Sequence, residues 1–94
     1  MASKTHFSHD DHYAIHIDGR HVQVTDAMKE YALTKLGKIE KFHTHINDIH
    51  VVMDIQKIEH SVSIIVKSDH CKIKSHASSS VMYASLDQAV DRFS

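Results

Sequence analysis

The side chains able to do chemistry in this chain are its eleven histidines, its eleven lysines and arginines, and a single thiol. His6, His9 and His12 stand three apart near the N-terminus, and His43 and His45 follow a candidate helix. Imidazoles suit zinc, but a zinc site needs about four ligands converging in fixed geometry. An HxxHxxH run in a polar leader has no obligatory geometry and no cysteine pair beside it, so adventitious chelation is the expectation. No physiological metal and no other cofactor are predicted. Cys71 has no neighbours that would favour a thiolate, and strand alternation points it toward the core. Asp10 and Asp11 are poorly placed for acid–base work, and the sequence holds no phosphate loop, GxSxG elbow or HExxH motif. With no catalytic constellation, the chain does not read as an enzyme.

The cations need a different reading, because the formal net charge is −1. This argues against a uniformly basic protein that coats nucleic acid through its overall field, so any anion site must be local. The histidines make this charge conditional. Imidazole titrates near pH 6.5, and protonating all eleven would carry the formal charge from −1 to +10. No apolar run approaches the 18 or more residues of a membrane span, and residues 1–12 lack the apolar stretch of a secretory signal. A cytoplasmic protein with no membrane partner is the simplest expectation, and one unpaired cysteine agrees with a reducing compartment.

The elements that must position these groups follow from periodicity. Residues 1–12 are polar without a period and are expected to form a flexible leader, with a single domain over 13–94. Tyr13, Ile15 and Ile17 alternate with Ala14, His16 and Asp18, a strand with one buried face that Gly19 ends. Thr25 can cap a helix over about 26–42, and Asp26 suits its positive end. Met28, Ala32, Leu36, Ile39 and Phe42, with Tyr31 beside them, make one apolar stripe. Lys29, Lys35, Lys38 and Lys41 fall largely off it. Ile49, Val51, Met53 and Ile55 mark the clearest strand, interrupted in its alternation by Val52. Val62, Ile64 and Val66 mark the next, and Ser68-Asp69-His70 turns the chain into Cys71, Ile73, Ser75 and Ala77. Lys67, Lys72, Lys74 and His76 then face away from the helices. Ser78–Ser80 offer hydroxyls to cap a second helix whose Met82, Leu86, Ala89, Val90 and Phe93 share a face, and which is expected to run to the end of the chain. The fold class is α+β: a βαβββα order giving a four-stranded sheet covered on one face by two helices, similar to double-stranded-RNA-binding domains.

Certain stretches within this order are distinctive: Ile17-Asp18-Gly19-Arg20 leading to Val24-Thr25-Asp26-Ala27, Lys29-Glu30-Tyr31 through Lys35-Leu36-Gly37-Lys38-Ile39-Glu40-Lys41-Phe42, and Met82-Tyr83-Ala84-Ser85-Leu86-Asp87 with Val90-Asp91-Arg92. From Ile15 onward the chain resembles the N-terminal ribosome-binding domain of the hibernation-promoting factors, also called ribosome-associated translation inhibitors. The resemblance implies a translation inhibitor that binds the small ribosomal subunit and its ribosomal RNA, occluding the messenger and transfer RNA channel in stress or stationary phase. It implies no small-molecule substrate.

Carried over residue by residue, the family's basic positions fall on Arg20, Lys29, Lys35, Lys38 and Arg92, with Lys41 a weaker candidate. Two departures are visible: Val81 stands where the family has an acidic residue before Met-Tyr, and the second helix is shortened relative to the family's long, basic one. Without the resemblance, these lysines would read as a solvated helix face and Arg20 as a partner of Asp18. The competing functions are a histidine-rich metal-handling protein and a small protein-interaction domain using an exposed sheet edge.

Overall fold

The structure, a computed structural model, describes residues 5–9, 13–42, 45–69 and 71–93, with the backbone alone described at 5–9 and 42. In chain order the elements are β1 (Thr5–His9), β2 (Tyr13–Arg20), α1 (Asp26–Phe42), β3 (Ile46–Gln56), β4 (Glu59–Ser68), β5 (Lys72–Ser79) and α2 (Met82–Asp91). The expected βαβββα core is present, with β2 parallel to β3 and antiparallel pairing from β3 to β4 and β4 to β5. One correction concerns the segment read as a flexible leader. Thr5–His9 pair antiparallel with β2, Thr5 opposite Ile17 and His9 opposite Tyr13, and extend the sheet to five strands in sequential order. The unpaired amides and carbonyls on the outer side of β2 explain why even a polar segment adds there, since backbone pairing needs no apolar side chain. The sheet edges are therefore β1 and β5.

Alternation is kept strictly enough to give the sheet one buried face. Ile15, Ile17, Ile49, Val51, Met53, Val62, Ile64 and Val66 lie beneath the helices, all nearly or wholly excluded from water. Met28, Ala32, Leu36 and Ile39 of α1 and Met82, Leu86, Ala89 and Val90 of α2 close the core from above. Two serines let α2 sit close to the sheet. Ser75 Oγ, buried on β5, donates to the Ala89 carbonyl at 2.8 Å, and Ser85 Oγ, buried on α2, donates to the His60 carbonyl of β4 at 2.7 Å. Small hydroxyl groups here satisfy buried carbonyls without holding the layers apart.

The helix ends show where local rules held and where they failed. Thr25 caps α1 as expected, its Oγ1 accepting from Met28 N at 3.1 Å and its carbonyl from Lys29 N at 3.0 Å. The serines do not cap α2. Val81 occupies the cap position with no side-chain bond to the helix, while Ser79 Oγ accepts from Val81 N and donates to its carbonyl, fixing the approach instead. The second helix stops at Asp91; Arg92 keeps right-handed helical angles at the C-cap, and the Phe93 amide bonds the Val90 carbonyl at 3.0 Å, a tightened last turn that leaves Phe93 on the buried face at 5% exposure. Cys71 is a further correction: it is exposed in the β4–β5 turn, with Sγ 3.3 Å from Ser68 Oγ, because β5 begins only at Lys72. Gly19 does not end β2, which continues through Arg20. Its role is close approach, since a Cβ there would lie 2.4 Å from the Val22 carbonyl oxygen and 2.8 Å from Val24 Cγ2.

Two substitutions test this packing by urea denaturation. Leu86→Ala should lower stability by about 2–5 kcal/mol with an unchanged denaturant slope, through reduced burial plus a cavity. Thr25→Ala should cost about 1 kcal/mol through removal of the cap of α1.

Candidate nucleic-acid interface

Beside the buried stripe of α1, residues Tyr31, Lys35 and Lys38 follow a helical row, and Tyr83, Asp87 and Asp91 do the same on α2. The two rows meet. Tyr31 Oη donates to Asp87 Oδ1 at 2.8 Å, with Oδ2 at 3.0 Å, and the Tyr31 and Tyr83 rings meet edge to face at 4.8 Å. Lys35 Nζ is 3.2 Å from Asp87 Oδ1 and 5.5 Å from the centre of the Tyr31 ring, while Lys38 Nζ is 3.6 Å from Asp91 Oδ1. The partners advance together along both helices, so α1 and α2 run parallel, with Lys41 and Arg92 toward the same end. At that end Tyr13 Oη donates to Glu40 Oε2, tying the α1 terminus to the start of β2.

This seam shifts the titration of its members. Burial by itself pushes the Asp87 carboxyl up, but the hydrogen bonds from Tyr31 and Lys35 and the charges of Lys35 and Lys38 outweigh it, holding the group below its ordinary range. The same hydrogen bond to Asp87 is the main reason that Tyr31 is raised, and Lys35 is raised by its own bond to Asp87.

The six sequence-predicted cations are thus not equivalent. Lys35 and Lys38 already face carboxylates. Arg20 is exposed at the end of β2 and makes no described salt bridge with Asp18, whose Oδ2 lies 2.7 Å from His50 Nε2. Lys29 is half-buried on α1, whereas Lys41, in its last turn, and Arg92, at the α2 C-cap, are exposed. The structure brings Lys35 and Lys38 together on the seam and leaves Arg20 apart from them. Sequence reasoning missed the acidic partners, although Tyr83, Asp87 and Asp91 recur at helical spacing opposite the lysine row.

The sheet face away from the helices is uncovered by any described element. His21 Nδ1 lies 2.9 Å from Asp54 Oδ1 there, and His76 Nδ1 lies 2.9 Å from Ser63 Oγ. Lys67, Lys72 and Lys74 are exposed on the same side as the outward alternation required, with no ion pair among the described residues. Among the described residues no three His, Cys, Asp or Glu side chains converge as a metal site. The side chains of His6, His9, His12 and His43 lie outside the described residues, as does that of Phe42.

Residues 15–94 match the family described as sigma 54 modulation protein / S30EA ribosomal protein. A ribosome hibernation promoting factor from Salmonella typhimurium is 30% identical over 78 residues, covering 83% of this chain and 82% of its own. Its Escherichia coli K12 counterpart is 28% identical over the same length and shares of the two chains. Among solved structures, a ribosomal subunit interface protein from Coxiella burnetii superposes with a TM-score of 0.79 at 28% identity, over 85% of this chain and 87% of that one. The Thermus thermophilus Protein Y N-terminal domain gives 0.74 at 25% identity, over 81% and 84%.

The seam makes a pH prediction. A depressed carboxyl stabilises the fold above its unfolded value and loses that contribution as pH falls through its folded value; the raised Lys35 and Tyr31 contribute below their unfolded values and lose it as pH rises through their folded ones. Asp87→Asn should therefore lower the melting temperature at neutral pH and flatten the decline of stability as pH falls through and below the ordinary aspartate range. Thermal denaturation across that range checks it, and an acid limb as steep as that of the parent would show that Asp87 has no part in the acid sensitivity.

Proposed function

This chain belongs to the sigma 54 modulation protein / S30EA ribosomal protein family, and from that membership we propose that it is a ribosome hibernation factor. It binds the small ribosomal subunit through ribosomal RNA and inhibits translation by occupying the channel that messenger and transfer RNA would use. The observation that carries this reading is the match of nearly the whole described fold to relatives named for ribosome hibernation and the subunit interface. The physical requirements of occlusion agree with it. A plug must be rigid, and the chain has a continuous core within a body of 37 × 29 × 19 Å. It must also hold phosphates locally, because its overall charge is close to zero.

Folded ribosomal RNA is met largely through backbone and shape, so the contacts should be cations aimed at phosphates. Arg20, Lys41 and Arg92 are exposed and make no described ion pair, which leaves them ready for that role. Arg20 and Arg92 can each offer a bidentate contact. Lys29 contributes from a half-buried position. Lys35 and Lys38 act by exchanging the Asp87 and Asp91 carboxylates for phosphate, so their net gain is smaller than that of an unpaired lysine.

Cosedimentation with purified small subunits across a salt series tests the reading. Binding should weaken steeply with salt, and Lys41→Glu with Arg92→Glu should both lower affinity and reduce the log–log slope by about 0.7–0.9 for each phosphate that is no longer neutralised. Protein that stays off the subunits even in dilute salt would exclude the proposal.

A further inference from the structure

The open sheet face carries a group of cations that the helix seam does not neutralise. Lys67 and Lys72 are direct cross-strand partners next to the β4–β5 turn and point to the same side. Like charges placed opposite one another on a sheet are unfavourable, and this pair has no ion-pair partner among the described residues. Asp48 is the one carboxylate in their row, which runs Ala14, Asp48, Lys67, Lys72 across the strands. The adjacent row runs His16, His50, Ile65, Lys74. Between the rows lies a recess of about 290 Å³ lined by His16, Asp48, His50, Ile65, Lys67 and Lys72.

We propose that this recess is a second phosphate-binding site, in which Lys67 and Lys72 hold the phosphodiester backbone of single-stranded RNA and His16 and His50 strengthen the hold on acidification. The partner class rests on the ribosome-binding reading, but the site lies on the opposite side of the sheet from the helices. Two ammonium groups side by side can share the oxygens of one phosphate, relieving the repulsion between them. The imidazoles and Ile65 beside them offer stacking and apolar surface to the attached nucleotide. The charge of the recess depends on pH. With neutral imidazoles, the lining carries two positive charges against one negative, a net +1; protonating both histidines raises this to +3. Asp18, at 2.7 Å from His50 Nε2, offsets part of that gain, and Lys74 adds to it from the neighbouring strand. On the β1 side, His6 stands opposite His16 in the register.

The test uses the full chain, ¹⁵N-labelled, titrated with a short oligouridylate and separately with inorganic phosphate at fixed ionic strength. The oligonucleotide should shift the amides of His16, His50, Lys67, Lys72 and Lys74, bind several-fold more tightly at pH 6 than at pH 8, and lose most of this affinity in Lys67→Gln/Lys72→Gln. Absence of those shifts overturns the site, as does affinity unchanged by the double substitution or by pH. Shifts from inorganic phosphate alone would overturn the assignment to RNA. Small-subunit cosedimentation separates this from the broader reading. A parent that binds and a double variant that binds equally well would sink the second site and leave the function standing; a parent that never binds would sink the function, while the RNA titration still decides the site.

Discussion

Every apolar side chain buried on the central strands turns to the same side of the sheet, and that one-sidedness governs the rest of the molecule. Burying Ile15, Ile17, Ile49, Val51, Val62 and Ile64 requires a cover, and the chain has two amphipathic helices to supply it. Both must lie on that face, side by side. Their outer edges then come into register, and charged residues that would otherwise point into water find one another as Lys35 with Asp87 and Lys38 with Asp91. The opposite sheet face receives no cover from the described elements.

The cations divide accordingly. Those on the seam serve the helix pairing as well as any partner, and a charge already near a carboxylate adds little to an external field. Those at the helix ends and on the open face have no such commitment. A chain of nearly zero net charge can in this way present local positive surface, because acids such as Asp87 and Asp91 are gathered where the architecture uses them.

Alternation through β2, β3 and β4 and the stripe on α1 could be read in advance, because they follow from periods of 2 and 3.6, which are properties of the backbone rather than of context. Thr25 caps α1 for the same local reason. The misreadings at the element ends have local causes. Ser79 bonds both the amide and the carbonyl of Val81, which takes the cap of α2; the Phe93 amide closes a last turn on the Val90 carbonyl; and Ser68 bonds Cys71 within the turn before β5. The pairing of Thr5–His9 with β2 has a tertiary cause, since a polar segment gives no period, and only the available edge of another strand recruits it.

The βαβββα order from β2 onward, the buried faces of β2, β3, β4 and α1 and the residue types available to meet an anion were written into the primary structure. Which of those cations remain unpaired was settled only when the chain folded. Pairing depends on parallel helices bringing positions 35 and 38 against 87 and 91, and on strand register setting Lys67 opposite Lys72. Coulomb interaction follows distance in space, which the spacing of residues along a chain does not specify.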